Sequence, residues 1–579
     1  PAWTGAGPSP LARRPDQFAA GRRRATGAVF AAALGVLALA LTLMAQPAPT
    51  YPPPHLAHNG QAVQLMVNGQ PFLMLAGELH NSSASSLAYM RPIWPRLKAM
   101  HLNTVVVPLS WELVEPREGQ FDFRLLDGLL AQARAQNLHV VFLWLASWKN
   151  GLSSYAPLWV KEDPARFPRA VIQGRPTAIL SPLATATRQA DATAFAAVMR
   201  HIRQVDGAQH TVLMMQVENE VGILGASRDH SSAANRAFYA PVPPRLMNYL
   251  EAHKLQLDPA LLRLWRRHGA QAAGSWPQVF GHGARAGEIF MAWYYARYIN
   301  AVAAAGKAAY PLPMYVNTWL AGPGAPPGTF PSGGPLPFVQ AVWRAAGSAI
   351  DIFSPDLYAP NFTAWCQSYH RNGNPLWMPE TTNGPQAAAN VFYAVGAQDA
   401  LGFSPFAIDT PYPYSAAAVN PAWFYGSDLP VAAPTLAESY RALSQLWPWI
   451  QRAEQAGTIR GFVLSASAPQ VEFNLNGYRL HISRDALFGR GVGSGFGLIM
   501  ADGPGRFFGA GRGFQVTFTS LGPGGNAVAL GWVDEGHIRG GAWVPGRRLN
   551  GDETSQGQAW RFDDTRMHFE KAGVYRARP

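Results

Sequence analysis

The sequence contains one cysteine, Cys366, among 579 residues. A single cysteine excludes an internal disulfide, so the fold does not depend on an oxidising compartment. No Cys/His signature surrounds Cys366, and neither HExxH nor CxxC spacing occurs elsewhere in the sequence. We therefore predict a packed thiol at Cys366, no metal site and no cofactor.

Charged residues are also sparse, at 14% of the chain. The formal charge of +12 is inflated by arginines near the N-terminus, and the other arginines are spread singly along the chain. The sequence contains no basic run with interleaved aromatic residues, so we predict that nucleic acid is not a partner. Glycine-dense stretches at 489–497 and 509–513 contain no GxGxxG and precede no Gly-Lys-Ser/Thr. Turns are thus a better interpretation of them than phosphate loops.

One long hydrophobic run is present, from residue 25 to 45, and none of that length follows it. It comes after Arg22, Arg23 and Arg24 and before a proline-rich stretch, a pattern typical of a secretion signal. About 20 apolar residues can also span a bilayer, so an uncleaved anchor is the alternative. We expect residues 1–54 to be a signal peptide or membrane anchor plus linker. The rest would be periplasmic or secreted, with a membrane as partner only if the segment stays uncleaved.

Apolar residues are abundant, at 48% of the chain with 19 Trp, which is enough for a sizeable core and two domains. Strand-like runs alternate with helical patterns, which predicts an α/β fold, a (β/α)8 TIM barrel over residues 55–457. Alternating apolar residues with Gly, Pro and Asn turns predict a small β-sandwich domain over residues 458–579. The eight barrel strands are expected at 73–80, 103–111, 139–145, 211–217, 313–319, 350–358, 375–380 and 400–409.

Two of these predicted strands are followed or ended by a glutamate, Glu220 and Glu380. An Asn-Glu pair after one strand would on its own be a helix cap or a solvated loop. The second carboxylate, also at the end of a predicted strand, favours a catalytic role instead, because catalytic groups gather at the C-terminal ends of barrel strands. Glycoside hydrolysis needs such a pair, one carboxyl group protonated to donate and the other ionised to attack or to activate water.

The stretch Gln-Val-Glu-Asn-Glu-Val-Gly at 216–222 resembles the acid/base motif of the family 35 glycoside hydrolases, except that Val221 stands where a Tyr is usual. That β-galactosidase family belongs to a large retaining clan built on a (β/α)8 barrel, and one bacterial branch of it carries a small all-β domain after the barrel. The resemblance implies Glu220 as the acid/base, Asn219 as the group holding the sugar 2-hydroxyl, and Glu380 as the nucleophile. Glu218 is expected to point to the same face as Glu220 in an extended strand, so the motif, and not geometry, selects Glu220.

Further contacts with substrate are expected at other strand ends. Gly-Glu-Leu-His at 77–80 is similar to the family's first-strand Gly-x-Ile-His, and Trp111 opens a stretch that resembles the clan's Trp-x-x-x-Glu-Pro motif. In that stretch we expect Glu115 and Asp122 to fix the loop. His80 and Trp111 are therefore predicted to bind substrate. Four residues sit at later strand ends, where substrate contacts would gather: Asn317, Trp319, Asp356 and Tyr358. Of these, Tyr358 and Trp319 are predicted to bind substrate, with a hydrogen-bonded core Tyr as the alternative for Tyr358.

The loop after the third strand departs from the family, which carries Cys-Ala-Glu-Trp there to hold galactose hydroxyls. Trp144, Trp148, Lys149 and Asn150 could replace that motif by stacking on sugar faces and bonding hydroxyls, or could simply pack under a long loop. Trp148 and Asn150 are the candidates that we predict to bind substrate.

These features predict a retaining exo-acting β-glycosidase, specifically a β-galactosidase acting on a β-galactoside oligosaccharide or polysaccharide fragment. The altered third-strand loop keeps β-glucosides, β-mannosides and β-xylosides open as substrates. A non-catalytic carbohydrate-binding barrel is a further alternative, although it would not need both glutamates.

Overall fold

A small antiparallel sheet precedes the barrel. The computed structural model describes residues 51–60, 62–410, 435–485, 494–522 and 527–576. The small sheet consists of β1 (His55–Asn59), β2 (Ala62–Val67) and β3 (Gln70–Phe72). Asn68 and Gly69, between β2 and β3, have φ values of 50° and 72°, as a tight Asn-Gly hairpin turn requires. The predicted targeting segment, up to residue 50, lies outside the described residues.

Eight parallel strands form the barrel, which confirms the (β/α)8 expectation. They run in the order β4-β13-β12-β11-β10-β9-β6-β5, and a short hairpin, β7–β8, follows β6. Val106 in β5 donates its N–H to Gly77 and accepts from Leu79, which links the two ends of the sheet. The eight barrel strands are β4 (Met74–Leu75), β5 (Thr104–Ser110), β6 (His139–Lys149), β9 (Val212–Asn219), β10 (Met314–Trp319), β11 (Ile352–Leu357), β12 (Met378–Thr381) and β13 (Gly402–Pro405), and the hairpin strands are β7 (Arg169–Ile172) and β8 (Arg175–Leu180).

Helices cover the outside of the barrel. After β4, residues 87–99 form two helices and not one, because Pro92 has no N–H to continue the helical hydrogen bonding. Five helices, between Ser232 and Ala309, separate β9 from β10. The α-helices are α1 (Leu87–Met90), α2 (Ile93–Ala99), α3 (Trp111–Val114), α4 (Arg124–Arg134), α5 (Leu158–Lys161), α6 (Thr185–Asp206), α7 (Ser232–Tyr239), α8 (Pro244–Ala252), α9 (Pro259–Arg267), α10 (Trp276–Phe280), α11 (Ala284–Ala309), α12 (Gln340–Ala346), α13 (Phe362–Tyr369), α14 (Pro385–Gln398) and α15 (Leu436–Gln455).

Two packed antiparallel sheets follow α15, as the alternating pattern predicts. One has the order β14-β17-β18-β23-β20-β21 and the other the order β15-β16-β19-β22. Phe462, Phe514 and Trp560 are buried in the core that these sheets share. The strands are β14 (Ile459–Leu464), β15 (Gln470–Leu475), β16 (Tyr478–Arg484), β17 (Gly495–Ala501), β18 (Arg506–Arg512), β19 (Phe514–Ser520), β20 (Val528–Arg539), β21 (Ala542–Leu549), β22 (Trp560–Phe562) and β23 (His568–Arg576).

The β-sheets pack directly on the barrel. Phe392 of α14 and Phe496 of β17 have ring centroids 5.3 Å apart, and one buried apolar cluster includes residues of both regions. Residues 52–579 accordingly group as one compact unit. The division between residues 457 and 458 stays a prediction.

Cys366 in α13 is fully buried and unpaired, which confirms the packed thiol. None of the helices in the described ranges combines the length and the apolar character needed to cross a bilayer.

Candidate active site

Three carboxyl groups meet at the C-terminal ends of three barrel strands. Glu220 directly follows β9, Asp356 lies in β11 and Glu380 in β12, where the strand register pairs Asp356 with Glu380. One carboxylate oxygen from each lies within 4.8 Å of the other two. All three residues are buried, with 5%, 2% and 7% of their surface exposed. Parallel strands bring their carboxyl ends to one edge, which is how residues so distant in sequence converge.

Glu220 occupies an environment that favours its protonated form. The Asn150 side chain donates from Nδ2 to Glu220 Oε2 over 2.5 Å, and the Glu220 N–H donates to Asn317 Oδ1 over 2.9 Å. Burial and the charge of Glu380 raise the pKa of Glu220 to about 7, although Lys149 acts in the opposite direction. A carboxyl group with this pKa can carry a proton near neutral pH and release it to a leaving group.

Glu380 has a different set of partners. The Tyr358 hydroxyl donates to Glu380 Oε1 over 2.6 Å, and Oε2 receives no hydrogen bond from the described residues. Burial and the neighbouring Glu380 charge raise the pKa of Tyr358 well above its usual value, so the phenol keeps its proton and remains a donor. The hydroxyl of Tyr358 therefore contacts the predicted nucleophile.

Two charged residues complete the cluster and were not among the predicted site residues. Glu78, which follows β4, is 1% exposed, and burial together with the charge of Glu380 raises its pKa well above the usual value. Burial lowers the pKa of Lys149, but the charges of Glu380, Glu220 and Glu78 outweigh that effect and raise it overall. Lys149 thus keeps a positive charge beside the carboxylates. A Glu inside an apolar first strand was the signal that could have identified Glu78.

Carboxylate oxygens at this spacing are also the kind of ligand that hard cations prefer. Among the described residues, Glu220, Asp356 and Glu380 are the cluster whose spacing would fit a metal ion. The ammonium group of Lys149 already balances part of their charge.

Asn219 is fully buried next to Glu220. Neither its Oδ1 nor its Nδ2 finds a hydrogen-bond partner among the described residues. A buried amide without partners costs free energy unless a ligand satisfies it. This placement is consistent with the predicted contact to a sugar hydroxyl, which stays a prediction.

Glu218 belongs to a different network from Glu220. Its carboxylate accepts from the backbone N–H groups of Ser147 and Trp148, over 3.0 and 2.7 Å, and it lies next to Asp191 of α6 on the helix side. The expectation that Glu218 and Glu220 point to one face is wrong. Both residues have a positive φ, 63° and 44°, and this left-handed backbone breaks the alternation of an extended strand.

The other predicted site residues differ in their burial and in their hydrogen-bond partners. Asn150 contacts Glu220, as described. Trp111 and Trp148 are fully buried, and their indole N–H groups donate to Glu115 Oε2 over 2.7 Å and to the Leu180 carbonyl over 3.1 Å. Their predicted contacts with substrate remain untested predictions.

His80 and Trp319 are more accessible. The Nδ1 atom of His80 lies 2.9 Å from Asp409 Oδ1, and Trp319 ends β10 with 36% of its surface exposed. Glu115 also accepts from the Gly119 N–H over 2.8 Å, and this bond confirms its predicted role in fixing the loop.

Part of this barrel matches known proteins in sequence. Residues 89–279 match the family model for β-galactosidases of glycoside hydrolase family 42. A β-galactosidase from Xanthomonas manihotis is 32% identical over 212 residues, which cover 35% of this chain and 32% of that relative. The chain is therefore similar to glycoside hydrolases. It spans about a third of the length of this relative, and the match to the family model contains Glu220 but ends before Glu380.

Residues 436–561 match a domain of unknown function (DUF5597). Among solved structures, a β-galactosidase from Bacillus circulans sp. alkalophilus aligns at 14% identity and a TM-score of 0.42, covering 66% of this chain and 57% of that one. An exo-β-1,4-mannosidase from Opitutaceae bacterium strain TAV5 aligns at 13% identity and a TM-score of 0.37, covering 67% and 60%. The assignment to family 35 stays a prediction.

Proposed function

We propose that this protein is a retaining, exo-acting β-glycosidase that cleaves terminal β-linked sugars, with β-galactosides as the first candidate substrates. The observation that carries the proposal is the pair of Glu220 and Glu380, buried together with carboxylate oxygens within 4.8 Å. Retaining enzymes place their two carboxyl groups about 5–5.5 Å apart, whereas inverting enzymes leave about 6.5–9.5 Å for a water molecule. The short separation supports the retaining mechanism.

The different surroundings of the two glutamates support their roles. Glu380, oriented by the Tyr358 hydroxyl, attacks the anomeric carbon and forms a glycosyl-enzyme. Glu220, which is protonated near neutral pH, donates its proton to the departing oxygen. Glu220 is then a carboxylate, and it removes a proton from the water that releases the sugar. Each step uses a group already in place, so little reorganisation is needed.

The match to β-galactosidases supports galactose as the first sugar to test. The loop that carries Lys149 and Asn150 differs from the galactose-binding Cys-Ala-Glu-Trp motif of the family 35 enzymes that residues 216–222 resemble. Aryl β-glucosides, β-mannosides and β-xylosides therefore belong in the same experiment.

The test is hydrolysis of a panel of aryl β-glycosides by the full chain and by the variants Glu380→Ala and Glu220→Ala. We expect Glu380→Ala to lose activity and to regain turnover with azide, since azide can occupy the space of the missing carboxylate. We expect Glu220→Ala to lose about 10²–10⁴-fold with poor leaving groups and much less with activated ones, which need no proton.

Full activity of the Glu380→Ala variant would overturn the mechanism. Failure of the folded wild-type protein to cleave any glycoside would instead favour a barrel that binds carbohydrate without hydrolysing it.

A further inference from the structure

Asn317, in β10, bridges two residues of the candidate site. Its Oδ1 accepts the Glu220 N–H over 2.9 Å, and its Nδ2 donates to Asp356 Oδ2 over 2.6 Å. Only 1% of the Asn317 surface is exposed. A buried amide with both of its ends bonded to the protein is suited to hold other groups in place and not to bind a sugar.

The N–H of Glu220 depends on this side chain because the backbone pairing ends before it. β9 and β10, both described over their full length, are last paired at Gln216 and Tyr315. Beyond that point the Asn317 side chain provides the acceptor that a neighbouring strand would otherwise supply. Without it, the N–H of Glu220 would lie buried and unpaired, which costs free energy.

The backbone at Glu220 also departs from an extended strand. Its φ is 44°, in the left-handed region, and Glu218, two residues earlier, has a φ of 63°. Residues other than glycine keep this conformation only where the surrounding structure holds it. The N–H groups of Ser147 and Trp148 bind the Glu218 carboxylate, and Asn317 accepts the N–H of Glu220.

Asn317 itself has a fixed position and orientation. β10 pairs with β11 from Tyr315 to Trp319, and Trp319 is paired with Asp356. The amide oxygen of Asn317 faces a donor and its nitrogen faces a carboxylate, so only one orientation of the amide satisfies both partners.

We propose that Asn317 is a positioning residue that holds the left-handed backbone of Glu220 and so aims the carboxyl group of the proposed acid at the leaving oxygen. The inference rests on the proposed glycosidase function, and it adds a residue that touches neither the sugar nor the transferred proton. Glu380 lies in β12 and accepts from Tyr358 instead. Loss of the Asn317 amide should therefore impair proton donation and spare the nucleophile.

The decisive variant is Asn317→Ala in the full chain, compared with the wild type on aryl glycosides with good and poor leaving groups. The quantity to measure is kcat/KM, which reports the stabilisation of the bond-cleaving transition state. We expect a loss of about 10–100-fold with poor leaving groups, because a misplacement of about 1 Å can have that effect, and little loss with activated ones. Asn317→Ser, whose shorter side chain cannot reach both partners, provides the same comparison should the alanine variant unfold.

Thr318→Val is the matched control. Thr318 is the next residue on β10 and is buried, with 2% of its surface exposed, but its side chain points to the opposite face of the strand. This variant should leave the ratio of kcat/KM for good and poor leaving groups unchanged. A merely structural role of Asn317 would slow both kinds of substrate equally, so the ratio separates the two roles.

A double variant tests whether Asn317 acts through Glu220. In Glu220→Ala, the carboxyl group that Asn317 aims is absent. We therefore expect the additional Asn317→Ala substitution to lower kcat/KM with poor leaving groups no further. A further loss as large as that of Asn317→Ala alone would show that Asn317 acts by another route, and the proposal would be wrong.

The outcomes distinguish the two proposals. If wild-type activity depends on Glu220 and Glu380, but the Asn317 variants slow good and poor leaving groups equally or not at all, the role of Asn317 is overturned and the glycosidase function stands. If the wild-type protein hydrolyses no glycoside, the function fails and this inference fails with it.

Discussion

Glu220 and Glu380 carry the same side chain, and the protein gives them different surroundings. Glu220 accepts from a neutral amide and lies in the field of a second carboxylate, whereas Glu380 accepts from a phenol. Environment alone can separate a proton donor from a nucleophile in this way.

The pH dependence of activity follows from the pKa of Glu220. That pKa is raised to about 7, and the proposed acid works only when protonated, so kcat/KM should fall above neutral pH by about tenfold per unit. The measurement is a pH profile on a substrate with a poor leaving group, with an activated aryl glycoside as the control that declines less. A profile that stays flat from neutral into alkaline pH would contradict the assignment of Glu220.

Tyr358 provides a second prediction at this scale. Tyr358→Phe removes the hydroxyl that donates to Glu380 Oε1 over 2.6 Å. A hydrogen bond to a charged group contributes about 1.5–3 kcal/mol, so kcat/KM should fall by about 10–100-fold. Thermal unfolding serves as the control for intact folding. Unchanged kinetics would show that the phenol neither orients nor stabilises Glu380.

Sequence alone could identify only some of these residues. Glu220 and Glu380 stand out because each ends an apolar run, which is a local pattern. Asp356 is marked only by its place at a predicted strand end and Glu78 only by its place in an apolar strand, and the sequence does not show that these separate strands bring both residues to one centre.

Between strands, the pairing of β6 with β9 positions the residues around Glu220. Trp144 pairs with Val217, but Lys149 pairs with Asn219, so β6 contains extra residues at this point. Such a bulge redirects the side chains that follow it, here Lys149 and Asn150. The sequence could predict both strands, but a continuous apolar run in β6 does not reveal where the bulge lies.

Glu218 holds this bulge through the N–H groups of Ser147 and Trp148, which gives a prediction for the element. Glu218→Ala leaves two buried donors without a partner, at about 1–3 kcal/mol each. We expect a lower melting temperature and a loss of kcat/KM that is equal for good and poor leaving groups, because Lys149 and Asn150 are displaced together.

Glu220→Ala is the matched comparison for that experiment, since its loss should depend on the leaving group. If Glu218→Ala showed this dependence and Glu220→Ala did not, Glu218 and not Glu220 would be the acid.

At the scale of the whole molecule, the sequence predicts the change from helical to alternating patterns near residue 458 but not how closely the two regions fit together. Gly461 in β14 lies against α14, and Gly396 of that helix faces it. Neither glycine is marked by a turn motif. Their importance lies in the close approach of two backbones, which only the folded chain displays.

This close contact predicts that barrel and β-sheets unfold together. A Cβ atom at position 461 would lie 2.3 Å from the Phe392 carbonyl oxygen, so Gly461→Ala must push α14 and β14 apart. Forced overpacking of this kind costs about 1–3 kcal/mol. The control is Gly322→Ala, where an added Cβ meets nothing within 4 Å. We expect calorimetry to show one transition in the wild type and in both variants, lowered only in Gly461→Ala, with activity lost over the same temperature range. We expect a single transition because one buried apolar cluster includes residues of both regions. A separate transition at lower temperature that left activity intact would show that the barrel stays folded when the β-sheets unfold.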